Sequence, residues 1–403
     1  MSALVAISLY IRNYLMKSNK SSSIFRLMTA SGSLSLLKGQ LRVLHDASLD
    51  VVVVSGGSKE QLSEIASNEG VDSRFIPHLV RPISIGSDLR ALSELIRLFR
   101  KEKPSIVHAN SPKASLLGMV AAWICRVPHR IYTVTGLRFE TSTGFMRWLL
   151  KTMERITCAC ATKVIPEGKG VKKTLYREHI TSKPMAVLHN GNINGIDLDY
   201  FDRTPEVMGR ASQIREEVGG SFVYLFVGRI VRDKGITELV DAFERVHAEH
   251  PETRLLLVGT QEPELDPLPD RTQRRIADND AIIEAGWQDD VRPWFVASDL
   301  FTFPSYREGF PNVVMQAGAL GIPSVVTDIN GSNEIIIEGK NGTIVPTRDT
   351  DALCRKMSEA LEQRDRLTEM SAQCRPLIAS RYRQEDVWRA TLEMYQSLTD
   401  DVK

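Results

Sequence analysis

Cysteine is scarce in this 403-residue chain: Cys125, Cys158, Cys160, Cys354 and Cys374 make an odd, scattered five. Cys158 and Cys160 form a C-x-C with no second pair, so neither a zinc site nor a disulfide framework is expected. A reduced, cytoplasmic compartment fits this usage. Long apolar runs are missing as well. The opening "MSALVAISLYIRNYLMKSNK" has about ten residues of apolar character before Arg12, too few to span a bilayer. It also lacks the basic n-region and cleavage site of a signal peptide. Three roles stay open for it: an amphipathic anchor, a helix docking on the fold, or an extension. No G-x-G-x-x-G follows a strand pattern: "VVVVSGGSKEQ" offers Gly56 and Gly57 without a third glycine, which argues against a dinucleotide-binding oxidoreductase. No D-x-D stands in a plausible metal-binding loop, "DLD" at Asp197–Asp199 being the nearest, and no metal is expected. Net charge is nearly absent, at +1, and no nucleic-acid partner is expected.

That small net charge hides an asymmetry. Of the 51 Lys and Arg and the 50 Asp and Glu, residues 1–203 hold 28 and 16, so the remainder is acidic. Halves of opposite sign suit two domains with different partners, and the length also favours two domains. The basic excess is densest between Arg126 and Lys183. There "GFMRWLLKTMERI" (Gly144 to Ile156) mixes Phe, Trp and Leu with Arg and Lys. Such a helix suits an anionic membrane surface or, equally, packing on its own domain.

Short apolar runs alternate with longer periodic ones. "IFRLMTA" (Ile24–Ala30), "DVVVVS" (Asp50–Ser55), "SIVHAN" (Ser105–Asn110), "HRIYTVT" (His129–Thr135), "KVIP" (Lys163–Pro166) and "AVLHN" (Ala186–Asn190) read as strands. Between them, "DLRALSELIRLFRKEKP" places Leu89, Leu92, Leu95, Ile96 and Phe99 on one helical stripe. The pattern restarts after residue 220 with "FVYLFVG", "RLLLVG", "AIIEAG", "DLFTFPS" and "PSVVTD". Strand–helix alternation argues for parallel sheets wrapped by helices. The expected fold class is α/β: two tandem Rossmann-like, doubly wound domains with a ligand cleft between them. The expected divisions are an extension at 1–23, a first domain at 24–203, a linker at 204–220, a second domain at 221–383 and a C-terminal helix at 384–403.

Two stretches carry chemistry. In "FVGRIVRDKG" a strand ends at Gly228, and Arg229 and Lys234 follow before a helix. A glycine there admits a ligand to the backbone, while a guanidinium fork and an ammonium suit a diphosphate. In "REGFPNVVMQAGALGIPSVVTDINGSNEII", Glu308 stands between a strand and a helix that starts near Pro311 or Asn312. Free N–H groups at that start form an anion or hydroxyl site, Glu308 can accept hydrogen bonds from sugar hydroxyls, and Gln316 falls about one turn inside the helix.

Together these stretches resemble the retaining nucleotide-sugar glycosyltransferases of family four, which have the GT-B fold. The likeness covers most of the chain from about Ile24 and is strongest in the second half. It implies that Arg229 and Lys234 bind the donor's diphosphate, and that Glu308 and Gln316 occupy the two acidic positions of the E-x7-E motif. The first position binds the donor sugar and the second the nucleotide ribose. Gln316 departs from the pattern. Gly309, Phe310, Pro311 and Asn312 match the segment whose backbone touches sugar and phosphate. In the first half the family has paired glycines after the first strand, where this chain has Gly32 in "ASGSLS". "VHANSPKASLLG" resembles the H-x-H-x-P-K stretch of bacterial capsule and lipopolysaccharide enzymes, keeping His108 and Lys113. Thr135 in "YTVTGLRFE" stands where a cleft histidine is frequent, and "HNGNINGIDLDYF" resembles the turn before the linker, with Asn194.

The resemblance implies a donor site of Gly32, Gly228, Arg229, Lys234, Gly309, Phe310, Pro311, Asn312 and Gln316. Glu308, Arg229, Lys234 and His108 are the catalytic candidates, and Lys113, Thr135, Arg138, Glu140 and Asn194 the acceptor or cleft candidates. His108 reads equally well as a structural histidine, Arg138 and Glu140 as a simple pair, and Thr135 as bonded to a nearby backbone group. The implied reaction is metal-independent, cofactor-free transfer from a nucleoside diphosphate sugar, UDP-linked by expectation. Its acceptor is a glycan or polyprenyl-diphosphate-linked saccharide, met at the cytoplasmic face of the inner membrane. A nucleotide-sugar epimerase and a degenerate sugar-nucleotide-binding protein remain alternatives.

Overall fold

The structure, a computed structural model, describes residues 23–262 and 266–400. The extension expected at 1–23 therefore lies, apart from Ser23, outside the described residues. The first sheet contains β1 Ser23–Ala30, β2 Asp50–Gly56, β3 Asp72–Phe75, β4 Ile106–Ala109, β5 His129–Val134 and β6 Lys163–Pro166. The second contains β7 Phe222–Val227, β8 Thr253–Val258, β9 Ile282–Gly286, β10 Leu300–Phe303, β11 Ser324–Thr327 and β12 Gly342–Val345. Their orders are β3-β2-β1-β4-β5-β6 and β12-β11-β10-β7-β8-β9. Counted from each domain's first strand the two orders are the same doubly wound one, and every pair is parallel. This is the GT-B architecture.

The strands read as continuous apolar runs because helices cover both faces of each sheet. Val51 to Val54 and all of Phe222 to Val227 are buried. Two expected features differ. "AVLHN" is a loop: His189 within it, and Gly191 and Asn192 just after it, take positive φ, which a strand does not accommodate. On the helix Ile85–Glu102, Ala91, Leu95 and Phe99 form the buried stripe, and Leu89 in the first turns is exposed beside Ile83 and Ile85.

Residues 204–220, expected as a linker, contain the helix Pro205–Val218. Thr204 caps it, and Ala211 and Ile214 pack in one cluster with Ala297. The chain returns through the helices Arg364–Tyr382 and Gln384–Asp400. The last one docks on the first domain: Trp388 Nε1 donates to Asn194 Oδ1 at 2.7 Å, and Tyr395 is buried against Arg26 and His108. The C-terminal helix thus crosses back as expected.

Candidate active site

In a doubly wound sheet the crevice opens where the chain reverses direction across the sheet, at the carboxyl ends of the two central strands. In the second domain these strands are β7 and β10, and the two motifs follow them. Lys234 ends a 3-10 turn (Arg232–Lys234) after β7, and Glu308 lies in the loop after β10. Gly235 joins that turn to the helix Ile236–Glu249 with φ 72°, and any side chain there would overlap the Pro304 carbonyl. Glycine thereby lets the two loops close on each other.

The closure brings Lys234 Nζ onto Glu308 Oε1, and Ser305 Oγ donates to the same oxygen at 3.0 Å. Arg229 Nη1 donates to Glu262 Oε2 at 2.7 Å. Both expected phosphate ligands therefore rest on carboxylates. The Arg229 pair is open to water, so exchanging it for a ligand costs about 1 kcal/mol or less. Beside them, Asp233 accepts from Arg307 Nη2 at 3.1 Å, and Tyr306 Oη donates to Glu238 at 2.6 Å.

The loop 305–312 also meets the first domain. A Cβ on Gly309 would overlap both the Glu167 carboxylate oxygen and the Thr135 carbonyl, so only glycine permits this approach. Phe310 is buried against Gly168 and Gly191, edge-on to Tyr382 with ring centroids 5.4 Å apart. Pro311 precedes the helix Asn312–Ala319, and Asn312 Oδ1 accepts from Asn192 Nδ2 at 2.7 Å. Gln316 is half-buried on that helix. Further hydrogen bonds cross the cleft. Asn330 Nδ2 donates to Glu140 at 3.0 Å, Arg307 Nε to Thr141 Oγ1 at 3.1 Å, and the N–H groups of Lys169 and Gly170 to Glu334 at 2.7 and 2.9 Å. Glu334 thus caps a first-domain helix from the second domain.

The first-domain candidates fare differently. His108 is buried at the centre of its sheet. Its Nδ1 faces Tyr395 Oη at 2.5 Å and Arg26 Nη1 at 3.2 Å, and its Nε2 faces Thr133 Oγ1 at 2.7 Å. Burial, and then the Arg26 guanidinium, push its pKa well below the usual histidine value. A neutral ring with both nitrogens engaged fastens the C-terminal helix, which favours the structural reading of His108 over the catalytic one. Lys113 Nζ is held by Asp88 at 2.6 Å and by the Pro82 carbonyl. Asn194 bonds Trp388, Gln40 and the Lys38 carbonyl, a structural use of both ends of its amide. Thr135 Oγ1 donates to the Asn110 carbonyl at 2.9 Å, while its own carbonyl faces Gly309. Glu140 joins Asn330 and Thr174 and makes no ion pair with Arg138, which is exposed. Gly32 lies exposed in the turn Ser31–Leu37 after β1.

Sequence reasoning passed over Glu167, Glu262 and Glu334. Glu167 had a signal: it follows a strand and precedes a glycine, as Glu308 does. Burial, then the Glu308 and Glu334 carboxylates, hold its carboxyl well above the usual range. No group of three or more His, Cys, Asp or Glu placed to hold a metal ion occurs among the described residues.

Two Rossmann-like domains clamped around cations and a carboxylate at the crevice define a glycosyltransferase of the GT-B class. Residues 37–191 match the family described as glycosyl transferase 4-like domain, and residues 221–363 match glycosyl transferases group 1. The chain is 31% identical to the capsular polysaccharide biosynthesis glycosyltransferase CapM of Staphylococcus aureus, over 94% of this chain and 98% of that one. It is 28% identical to the UDP-Gal:alpha-D-GlcNAc-diphosphoundecaprenol alpha-1,3-galactosyltransferase of Escherichia coli, over 78% of this chain and 80% of that protein. Anabaena Alr3699/HepE, solved with UDP and glucose, superposes with a TM-score of 0.78 at 18% identity, over 93% of this chain and all of that one. The protein belongs to the group 1, family-four-like glycosyltransferases.

Proposed function

We propose that this enzyme moves a hexose or N-acetylhexosamine from a nucleoside diphosphate sugar, UDP-linked by expectation, to a lipid-diphosphate-linked saccharide in capsule- or lipopolysaccharide-type synthesis, with retention at the anomeric carbon. The observation that carries the reading is the meeting of Lys234 and Glu308 at the crevice, with Arg229 following the same strand β7 on an exchangeable pair with Glu262. A diphosphate replaces Glu262 and Glu308 as the partner of the two cations, which frees Glu308 for sugar hydroxyls. As the bond from the anomeric carbon to the diphosphate oxygen breaks, negative charge grows on the leaving phosphate, and Arg229 and Lys234 stabilise it. The acceptor oxygen forms the new bond on the same face and passes its proton to that phosphate. Closure of the two domains excludes water during the step. Turnover is expected to persist in EDTA.

The lipid-linked acceptor and a cytoplasmic, peripheral placement are supported by relatives named for diphosphoundecaprenol acceptors. They are also supported by exposed apolar side chains on two helices of the first domain. Ile85 is 78% exposed, Phe145 72% and Trp148 58%, with Arg147 and Lys151 on the same helix as the two aromatics. No helix among the described residues is long and apolar enough to cross a membrane. Sedimentation with anionic and with zwitterionic vesicles tests this contact; the anionic ones are expected to retain more enzyme. A donor screen against a lipid-diphosphate sugar, with NMR of the product, tests the reaction. An inverted anomeric linkage would falsify retention, and a free epimerised sugar nucleotide would favour the epimerase.

A further inference from the structure

Three carboxylates converge on the Glu308–Gly309 turn, and each is treated differently. Glu308 is paired with Lys234 and Ser305. Glu334 accepts two backbone N–H bonds. Glu167, at the carboxyl end of β6, is 6% exposed, packs under Gly309, and makes no ion pair among the described residues. It borders a small cavity of about 20 Å³, shared with Arg26, His108, Thr133 and Asn192. The carboxylates acting on it are Glu308 and Glu334; Arg26, the cation of that cavity, bonds His108, Tyr395 and Asn110 instead, Lys234 is bonded to Glu308, and His108 is neutral.

Lys234 must therefore serve two anions. In this structure it neutralises Glu308. A donor diphosphate competes for the same ammonium and leaves Glu308 charged above a buried carboxyl. Two ionised carboxylates sharing one dry site repel strongly, and such a pair keeps a proton on one of them. We propose that Glu167 is a positioning residue of the transfer reaction: its carboxyl, as an uncharged hydrogen-bond donor, supports the Glu308–Gly309 turn once the diphosphate has taken Lys234. This rests on the donor-site reading above. Burial and both neighbouring carboxylates raise the Glu167 pKa well above the usual carboxylate range, the direction that the role requires.

The test compares wild type with Glu167→Gln, whose amide keeps a neutral donor of similar size, and Glu167→Ala. Calorimetry with UDP and with the UDP-sugar comes first; a wild-type enzyme that binds neither overturns the donor reading and this inference with it. With binding in hand, kcat/KM of the wild type is expected to fall about tenfold per pH unit once Glu167 ionises. Glu167→Gln is expected to stay within about threefold of wild type at pH 7, because the amide still donates, and to lose that alkaline fall. Glu167→Ala is expected to lose activity at every pH while still binding UDP. An unchanged alkaline fall in Glu167→Gln overturns the proposal. So does a folded, UDP-binding Glu167→Gln without activity, since it would show that the ionised carboxylate is needed.

Discussion

The two domains share one strand order but use their central polar residues in opposite ways. In the second, Lys234 and Glu308 follow β7 and β10 and meet each other in the crevice. In the first, the corresponding strands β1 and β4 carry Arg26 and His108, which are sealed beneath Tyr395 of the returning helix. The central strand pair thus leads into the candidate donor site in one domain and carries a fastening in the other. Fold alone fixes where a crevice can open; what covers it decides whether polar side chains act on a ligand.

The largest effect that would break this contrast lies in the second domain. Lys234→Ala or Glu308→Ala is expected to lower kcat/KM on the order of 10²–10³-fold, the size seen when one transition-state partner is removed. Steady-state kinetics with thermal melting checks it. Unchanged turnover in Glu308→Ala would remove Glu308 from the donor site.

In the first domain the expected loss is of stability. Tyr395→Phe removes the hydroxyl that serves both Arg26, at 2.6 Å, and His108. Leaving a buried guanidinium short of a partner costs about 1–3 kcal/mol, while kcat per folded molecule holds. Denaturant unfolding measures the first, and a kcat loss at constant stability would return His108 to the active centre.

The first domain also carries a pH-dependent fastening. The Glu154 carboxyl accepts from Tyr132 Oη at 2.7 Å, and burial pushes its pKa up to about 7. Unfolded, it ionises near the ordinary value of 4.5. Between these two values the folded state holds the proton and the unfolded state has lost it. Stability is therefore full below about pH 4.5, declines as pH rises toward 7, and is level above, at a slope on the order of 1 kcal/mol per pH unit for this group. Glu154→Gln is expected to flatten that part of the curve, read as the difference in unfolding free energy between pH 5 and pH 7.

The alternating pattern was legible because parallel strands covered on both faces leave uninterrupted apolar runs, as in "DVVVVS". The meeting of Lys234 and Glu308 was legible for a related reason: both are close in sequence to two strand ends, so a motif contains them. The first-domain candidates kept two readings in the sequence because their partners are remote. Nothing near "SIVHAN" announces Tyr395, 287 residues away. Nothing near Lys113 announces Asp88, although both are polar residues in helix first turns. "AVLHN" failed through the positive φ of His189 and of Gly191 and Asn192 just after it, a backbone state that an apolar count does not register.

The smallest effect concerns Gln316, the one departure from the motif within the second domain. It sits eight residues after Glu308, half-buried on the helix Asn312–Ala319, where the resemblance puts the group that meets the ribose. An amide accepts through its oxygen as a carboxylate does, and it adds donors. Near a diphosphate it also avoids a charge that would repel the donor. Gln316→Glu is therefore expected to leave kcat unchanged and to alter donor KM by about threefold or less, roughly the worth of one exposed charge. A complete loss of donor binding, measured by calorimetry with UDP, would show that this chain requires the neutral group. The ribose would then be held differently from the family's acidic pattern.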